Sequence, residues 1–446
     1  WMKEEDEDFV NYRKIAGRLI DYVKQNHFTH IELMPLCEYP FDGSWGYQCS
    51  GYFSVTSRYG TCHDLMYLVN EAHKAGIGVI MDFVPVHFVK DDFSLSYFDG
   101  TALYEYPRAH DADSQWGTAN FDLWKEEVRS FLMSAASFWI DVYHVDGLRM
   151  DAISNAIFWH GNKQLGVNEG AFDFIKRMNF MLNEKYQGKI MLIAEDSTDF
   201  PNVTKSTLEG GLGFDYKWDL GWMNDTLNYL KKDPVYRKWH HNNITFSMAY
   251  FYSERFLIEF SHDEVVHGKA TIINKMWGTY EQKFAQLRTL YLYMFTHPGK
   301  KLNFMGNELA HWREWDEMKE NDWFLLSYPA HDAFHRYFAL LGELYTSETT
   351  LYENDYSWES FEWIDADNAD KNMFSYLRKG KDKDYVVILN FSPNTYTHEV
   401  FGVVSKGTYR EIINTEWERF GGTLAEQPQH CHAARVSRNG KPYMIE

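Results

Sequence analysis

Acidic, basic and imidazole side chains follow closely on four runs of strand-forming residues: Asp82 with His87, Arg149 with Asp151, then Glu195, then His262 with Asp263. A carboxylate at the end of a strand commonly does no more than cap the next helix, so no one of these residues says much alone. Together they supply what cleavage of an acetal needs. Glycosyl transfer requires two carboxyl groups on opposite sides of a glycosidic oxygen, one to attack or activate and one to donate a proton. Asp151 and Glu195 form such a pair. A third carboxylate, Asp263, could hold sugar hydroxyls and favour the distorted ring of an oxocarbenium-like transition state. Arg149 stands two residues before Asp151, on the same face of one strand, where it would keep that carboxylate ionised.

These residues work together only if the strands that carry them lie side by side. Short runs rich in strand formers occur at Ile31 to Leu36, Ile77 to Val84, Val145 to Met150, Ile190 to Ala194, Phe214 to Trp218, Phe256 to Phe260 and Leu302 to Met305. Helical patterns lie between them, as at Leu65, Leu68, Val69 and Ala72, at Val128, Phe131, Leu132, Ala135 and Trp139, and at Phe284, Leu287, Tyr291 and Met294. Thr61 and Asp64 predict a capping box for the first of these helices, and Gly76 follows its last apolar residue. No glycine-rich phosphate fingerprint follows the first strand, so the alternation predicts an α/β fold of the (β/α)₈ barrel type rather than an open doubly wound sheet. Seven strands are legible, and an eighth is expected before Trp1. The long connection from Val84 to Glu126 would form a loop subdomain, near residues 85–125, over the catalytic face. Beyond residue 360 short alternating strands, Met373 to Leu377 and Tyr385 to Asn390, predict a small all-β sandwich. The expected division is a barrel over 1–360 and a C-terminal β-domain over 361–446.

Lys and Arg total 44 against 64 Asp and Glu, a net charge of −20, which argues against a phosphate backbone or an anionic membrane surface as partner. No apolar stretch reaches the roughly 18 residues of a membrane span. Four cysteines, Cys37, Cys49, Cys62 and Cys431, are too few for a disulfide framework and form no C-x-x-C pair; a reducing cytosol is the expected setting. The acidic run Glu4 to Asp8 has neither the basic nor the apolar part of a signal peptide. His262 and His267 are five apart, the wrong spacing for two zinc ligands on a helix face. Asp111 and Asp113 suggest part of an EF-hand loop, but Trp116 stands where that loop needs glycine. No metal or other cofactor is expected.

The segments Asp82-Phe-Val-Pro-Val-His87, Gly147-Leu-Arg-Met-Asp-Ala152, Ala194-Glu-Asp-Ser197 and Ser261-His-Asp-Glu264 resemble, in order, the four signature regions of the α-amylase superfamily of retaining α-glucan enzymes. Phe41-Asp-Gly-Ser-Trp-Gly-Tyr-Gln48, Asp99-Gly-Thr-Ala-Leu-Tyr104, Ser261-His-Asp-Glu-Val-Val-His-Gly-Lys269 and Trp312-Arg-Glu-Trp315 are similar to the bacterial 1,4-α-glucan (glycogen) branching subgroup. Four ordered motifs at compatible spacing are far more specific than any one. The resemblance implies Asp151 as nucleophile, Glu195 as general acid/base and Asp263 as transition-state stabiliser. It further implies that His87 and His262 bond sugar hydroxyls, that Arg149 pairs with the nucleophile, that Asp82 supports the site, and that Tyr47 offers its ring to a glucose face. It also implies an N-terminal β-sandwich and a first barrel strand ahead of the position matching Trp1, and one more strand after Glu446. The expected activity is cleavage of α-1,4 bonds in a linear glucan and formation of α-1,6 branch points in glycogen. The alternatives are an α-glucan hydrolase with the same carboxylates and a catalytically silent glucan-binding protein.

Overall fold

The computed structural model describes residues 1–4 and 9–446; most of the acidic run, Glu5 to Asp8, lies outside them. Seven parallel strands form one sheet in chain order: β1 His30–Leu33, β2 Gly78–Phe83, β3 Gly147–Met150, β4 Met191–Ala194, β5 Tyr216–Trp218, β6 Phe256–Phe260 and β7 Lys300–Asn303. All seven expected strands are present. Four differ from their expected limits by two or three residues: β3 and β5 begin two residues late, and the first and last of the seven are also shifted. The first stops at Leu33 because Pro35 cannot donate to a ladder and constrains Met34 before it. The last begins at Lys300, two residues early, because the ammonium heads of Lys300 and Lys301 leave the sheet to bond the carbonyls of Tyr352 at 2.7 Å and His297 at 2.5 Å.

Helices α1 Tyr12–Gln25, α2 Cys62–Lys74, α3 Glu126–Tyr143, α4 Glu169–Tyr186, α5 Leu220–Leu230, α6 Tyr280–Thr296 and α7 Pro329–Ser347 alternate with the strands, except that β4 and β5 are joined by a loop carrying the short 3₁₀ turn Thr207–Glu209. The capping box at the head of α2 is formed, with Thr61 and Asp64 bonding each other's backbone N–H, and Gly76 takes the left-handed conformation at φ +75° that the chain needs to leave the helix. Strand residues that face outward, such as Met81, Leu148 and Leu192, pack with the helices in a continuous apolar layer. Residues that face inward form a smaller cluster of Ile80, Ile193, Trp218 and Leu257. The alternation of a strand then dictates where the polar residues point: Asp82 follows Ile80 by two, Asp151 follows Arg149 by two, and Glu195 follows Ile193 by two. Among the described residues the sheet is curled and unclosed, and β1 and β7 each have one hydrogen-bonded neighbour. A cleft of about 900 Å³ opens between them, walled by Ile31, Leu33, Leu302 and Phe304 and floored near Asp82 and His262.

The connection after β2 carries a two-residue ladder of His87–Phe88 against Ala119–Asn120. From Phe361 onward the chain is mainly β: β8 Phe361–Asp365, β9 Met373–Lys379 and β10 Asp384–Asn390 form an antiparallel sheet, and Phe401–Val403 with Tyr443–Ile445 and Thr408–Arg410 with His430–His432 form two separate short antiparallel pairs. Phe374, Tyr376, Leu389 and Phe391 from this sheet share a core with α6 and α7. Three arginines cross the same boundary. Arg237 donates to the Phe391 carbonyl at 2.7 Å, Arg288 to the Thr415 carbonyl at 2.6 Å and the Glu416 carboxylate at 2.7 Å, and Arg378, on β9, to the Thr296 carbonyl at 2.7 Å and to Asp355 at 3.0 Å. All three are buried.

One buried pair lies away from the inward-facing carboxylates at the strand ends. Glu259 on β6 accepts from the Asp219 N–H at 3.0 Å, while Asp219 caps α5 through Trp222 and accepts from the Tyr250 hydroxyl. Burial raises Glu259 well above the carboxylate range and pushes Asp219 up to about 6. Groups raised on folding contribute least where the unfolded chain has released its protons, so their contribution declines as pH rises above the ordinary carboxylate value. Glu259→Gln is therefore expected to melt higher than the parent at pH 8, with the gap closing toward pH 4. Calorimetry at the two pH values measures this, and a variant less stable at pH 8 would contradict it.

Candidate active site

The floor of the site is Arg149, 1% exposed. It lies level with Asp82 across the β2–β3 pairing and with Ile193 across β3–β4. Its Nη1 donates to Asp82 Oδ2 at 3.0 Å and to Asp151 Oδ1 at 2.9 Å, and reaches the Tyr47 hydroxyl at 3.3 Å; its Nη2 lies 3.8 Å from Glu195 Oε2. The guanidinium also sits over the Trp218 ring, 4.2 Å from its centroid. One cation thus holds three carboxylates at the ends of three adjacent strands. Removing it leaves Asp82, whose side chain is 3% exposed, without its counter-ion. Arg149→Met is expected to cost about 3–5 kcal/mol of stability, measured by urea unfolding at neutral pH; a loss below about 1 kcal/mol, the range of an exposed pair, would refute this account of the floor.

The backbone of adjacent strands sets the two carboxylates against each other. Asp151 N–H donates to the Phe83 carbonyl at 3.0 Å, and Glu195 N–H to the Met150 carbonyl at 3.1 Å, extending the ladder past the strand ends. Ala152 then adopts φ +53°, left-handed for a residue with a Cβ, and its N–H donates to Glu195 Oε2 at 2.7 Å. The two carboxyls titrate in opposite directions. Burial pushes Glu195 up to about 8, with the Asp151 charge adding to the effect against the pull of Arg149. Burial opposes ionisation of Asp151 too, but the neighbouring His87 imidazole and the charge of Arg149 hold it below its ordinary value. At neutral pH one carboxyl is an anion and its neighbour an acid.

His87 Nε2 lies 3.7 Å from Asp151 Oδ2 while its Nδ1 meets the Thr118 hydroxyl at 3.0 Å. His262 stacks on the Tyr47 ring at 5.5 Å, and burial lowers its basicity. The Tyr47 hydroxyl donates to Asp82 in a short hydrogen bond. Asp263 stands at the rim, its side chain 55% exposed, 3.5 Å from His262 Nε2, and its charge further raises Glu195. All eight residues singled out in the sequence therefore gather at one end of the sheet, seven in direct contact around Arg149, Asp151 and Tyr47, and Asp263 through His262.

Four neighbours escaped the sequence reading. Glu32 on β1 lies near Asp82, and burial, with the Asp82 charge adding to it, raises its carboxyl well above the ordinary range. Its signal was a lone acid within the apolar run Ile31 to Leu36. Trp218, under Arg149, and Thr118, behind His87, carry no local signal. Trp116 lies with its ring 4.9 Å from that of His87 and stays 42% exposed, open to a ligand.

Comparison with known proteins gives a consistent pattern. Residues 15–111 match the α-amylase catalytic-domain family, and residues 363–446 match the α-amylase C-terminal all-β domain family. The chain is 49% identical over 449 residues to the 1,4-α-glucan branching enzyme GlgB of Geobacillus stearothermophilus, covering all of this chain and 70% of that protein. It is 46% identical over 458 residues to the GlgB of Halothermothrix orenii, again over the whole chain and 72% of that protein. Among solved structures, the α-amylase of Geobacillus thermoleovorans complexed with acarbose superposes with a TM-score of 0.72 at 18% identity, over 99% of this chain and 92% of that one. The maltogenic α-amylase AmyB of Thermotoga neapolitana gives 0.67 at 15% identity, over 98% and 93%. The structural likenesses establish an α-amylase fold, a curled barrel sheet of parallel strands followed by an all-β domain.

Proposed function

The chain belongs to the 1,4-α-glucan branching enzymes of the α-amylase family, and from that premise we propose that Asp151, Glu195 and Asp263 carry a double displacement on a linear α-glucan, with glycogen as the growing product. Glu195, protonated, gives its proton to the glycosidic oxygen of an α-1,4 bond while Asp151 attacks the anomeric carbon and forms a glucosyl ester. The non-reducing fragment stays attached to the enzyme and the reducing-end fragment leaves. Glu195, now an anion, takes the proton of an acceptor 6-hydroxyl, whose oxygen displaces Asp151 and closes an α-1,6 bond. Two inversions retain the α configuration. Asp263 and His262 hold hydroxyls of the distorted sugar, His87 bonds the sugar and orients Asp151, and Tyr47 lies beneath the ring. The reaction draws on side chains alone, without a cofactor.

The observation that carries this reading is the opposed titration of two carboxyls pinned by one guanidinium, since a double displacement needs an anionic nucleophile beside a protonated acid. The test follows linear amylose in a single sample, scoring new α-1,6 linkages by debranching and new reducing ends by titration. Branch points with almost no net reducing ends are expected. Reducing ends without branch points would mean that water is the acceptor, and would overturn the transfer step while leaving the first displacement intact.

A further inference from the structure

Among the described residues, a cluster of metal-ligating side chains separate from the carboxylate site is assembled across two segments distant in sequence. His110 and Asp111 lie on the helical turn Ala109–Ala112 of the long connection after β2, and His160 lies in the turn Trp159–Gly161 that follows β3. One potential ligand atom from each is within 4.8 Å of the other two. The imidazole rings of His110 and His160 face each other, 5.2 Å apart with 18° between their planes. His160 Nε2 is buried without a hydrogen-bond partner, and the residue is held at φ +52°. Asp111 and His160 line a small cavity of about 10 Å³ together with Asn120 and Asn155, the room of about one water-sized body. Asn120 ties the Asp111 carbonyl through a 3.1 Å hydrogen bond, which fixes the turn that presents the carboxylate.

We propose that His110, Asp111 and His160 bind a divalent first-row transition ion of the zinc type, with water as the fourth ligand. Two imidazoles and one carboxylate suit zinc, cobalt or nickel and do not suit calcium or magnesium, which take oxygen ligands. Bonds of about 2.0–2.1 Å require ligand atoms about 3.4 Å apart in a tetrahedron, a contraction of roughly 1 Å that the exposed His110 ring supplies by rotation. The ion joins the connection that carries His87 and Trp116 to the turn that follows the short helix Ile153–Ile157 after Asp151, and so braces one wall of the candidate active site without touching a reacting group.

The experiment uses the chelator-stripped full chain titrated with zinc chloride and, separately, calcium chloride, followed by calorimetry and by thermal melting; cobalt chloride reports geometry through its visible absorption. One zinc per chain with a dissociation constant below about 10 μM, a melting temperature that rises with zinc, tetrahedral cobalt bands and no calcium response are expected. His110→Ala and His160→Asn should each weaken zinc at least about 30-fold, since loss of even an outer-shell partner of a ligand costs about 10- to 100-fold, and remove the zinc-dependent rise. His110 is exposed, so its replacement leaves the fold intact and decides the matter even if the His160 variant is unstable. Absence of binding, or zinc binding unchanged in His110→Ala, would overturn the proposal.

Discussion

Replacement of Asp151 by Asn is expected to reduce turnover of a linear α-glucan by about 10⁴-fold or more, the scale on which covalent enzymes lose rate when the nucleophile is removed. The size follows from the chemistry. A glucosyl ester needs an anionic oxygen, and an amide of the same shape offers none. The fold should survive, because the Asp151 side chain is 15% exposed and Arg149 keeps its partner Asp82. Initial rates on amylose and melting curves on the same preparation measure both halves of the statement. A folded Asp151→Asn variant with more than about one-hundredth of the parent rate would remove Asp151 from the nucleophile role.

Glu195→Gln should lower turnover by about 10²–10⁴-fold, the usual worth of a positioned acid/base, with a second signature that a merely structural residue would lack. On the proposed mechanism kcat/KM in the parent requires Glu195 protonated and Asp151 ionised, so its profile should be a bell. The alkaline limb is expected near the value of about 8 to which burial pushes Glu195, and the acid limb below the ordinary carboxylate value, because the neighbouring His87 and Arg149 hold Asp151 down against its burial. In the glutamine variant the alkaline limb disappears while the acid limb stays. A donor whose leaving group needs no proton, such as an α-maltosyl fluoride, should recover the first displacement and leave a covalent ester detectable by intact mass, since the second displacement lacks its base. An unchanged alkaline limb in the variant would assign that titration to another group.

The strand-end residues could be read from the sequence because strand alternation and chain order are local properties: once Ile80 faces inward, so does Asp82, and parallel neighbours align their ends. The motif resemblance then supplied roles that spacing alone left open. What escaped depends on contacts between segments far apart. Thr118 reaches His87 only because the connection after β2 folds back as a two-residue ladder, and Trp218 reaches Arg149 only because the sheet curls to bring β5 beneath β3. Of the strand limits that moved, the end of β1 was set by a proline after it and the start of β7 by two lysines that carry their charge out of the sheet. The arginines that join barrel and β-domain gave no hint, because a buried and an exposed arginine look alike in a sequence; their acceptors are mostly backbone carbonyls, which every residue has.

Those arginines bear on how freely such a chain can be reassembled from parts. Arg237, Arg288 and Arg378 spend their donors on carbonyls of Phe391, Thr415 and Thr296, each on the far side of the boundary from the guanidinium that meets it. A carbonyl acceptor makes no demand on side-chain identity but a strict one on backbone position. Substitutions that keep the main chain in place pass unnoticed, whereas a β-domain transplanted from a relative with a loop one residue longer would strand a buried cation. The C-terminal domain is thus tolerant of drift in sequence and intolerant of exchange as a module, and chimeras should succeed only when the junction residues travel with it.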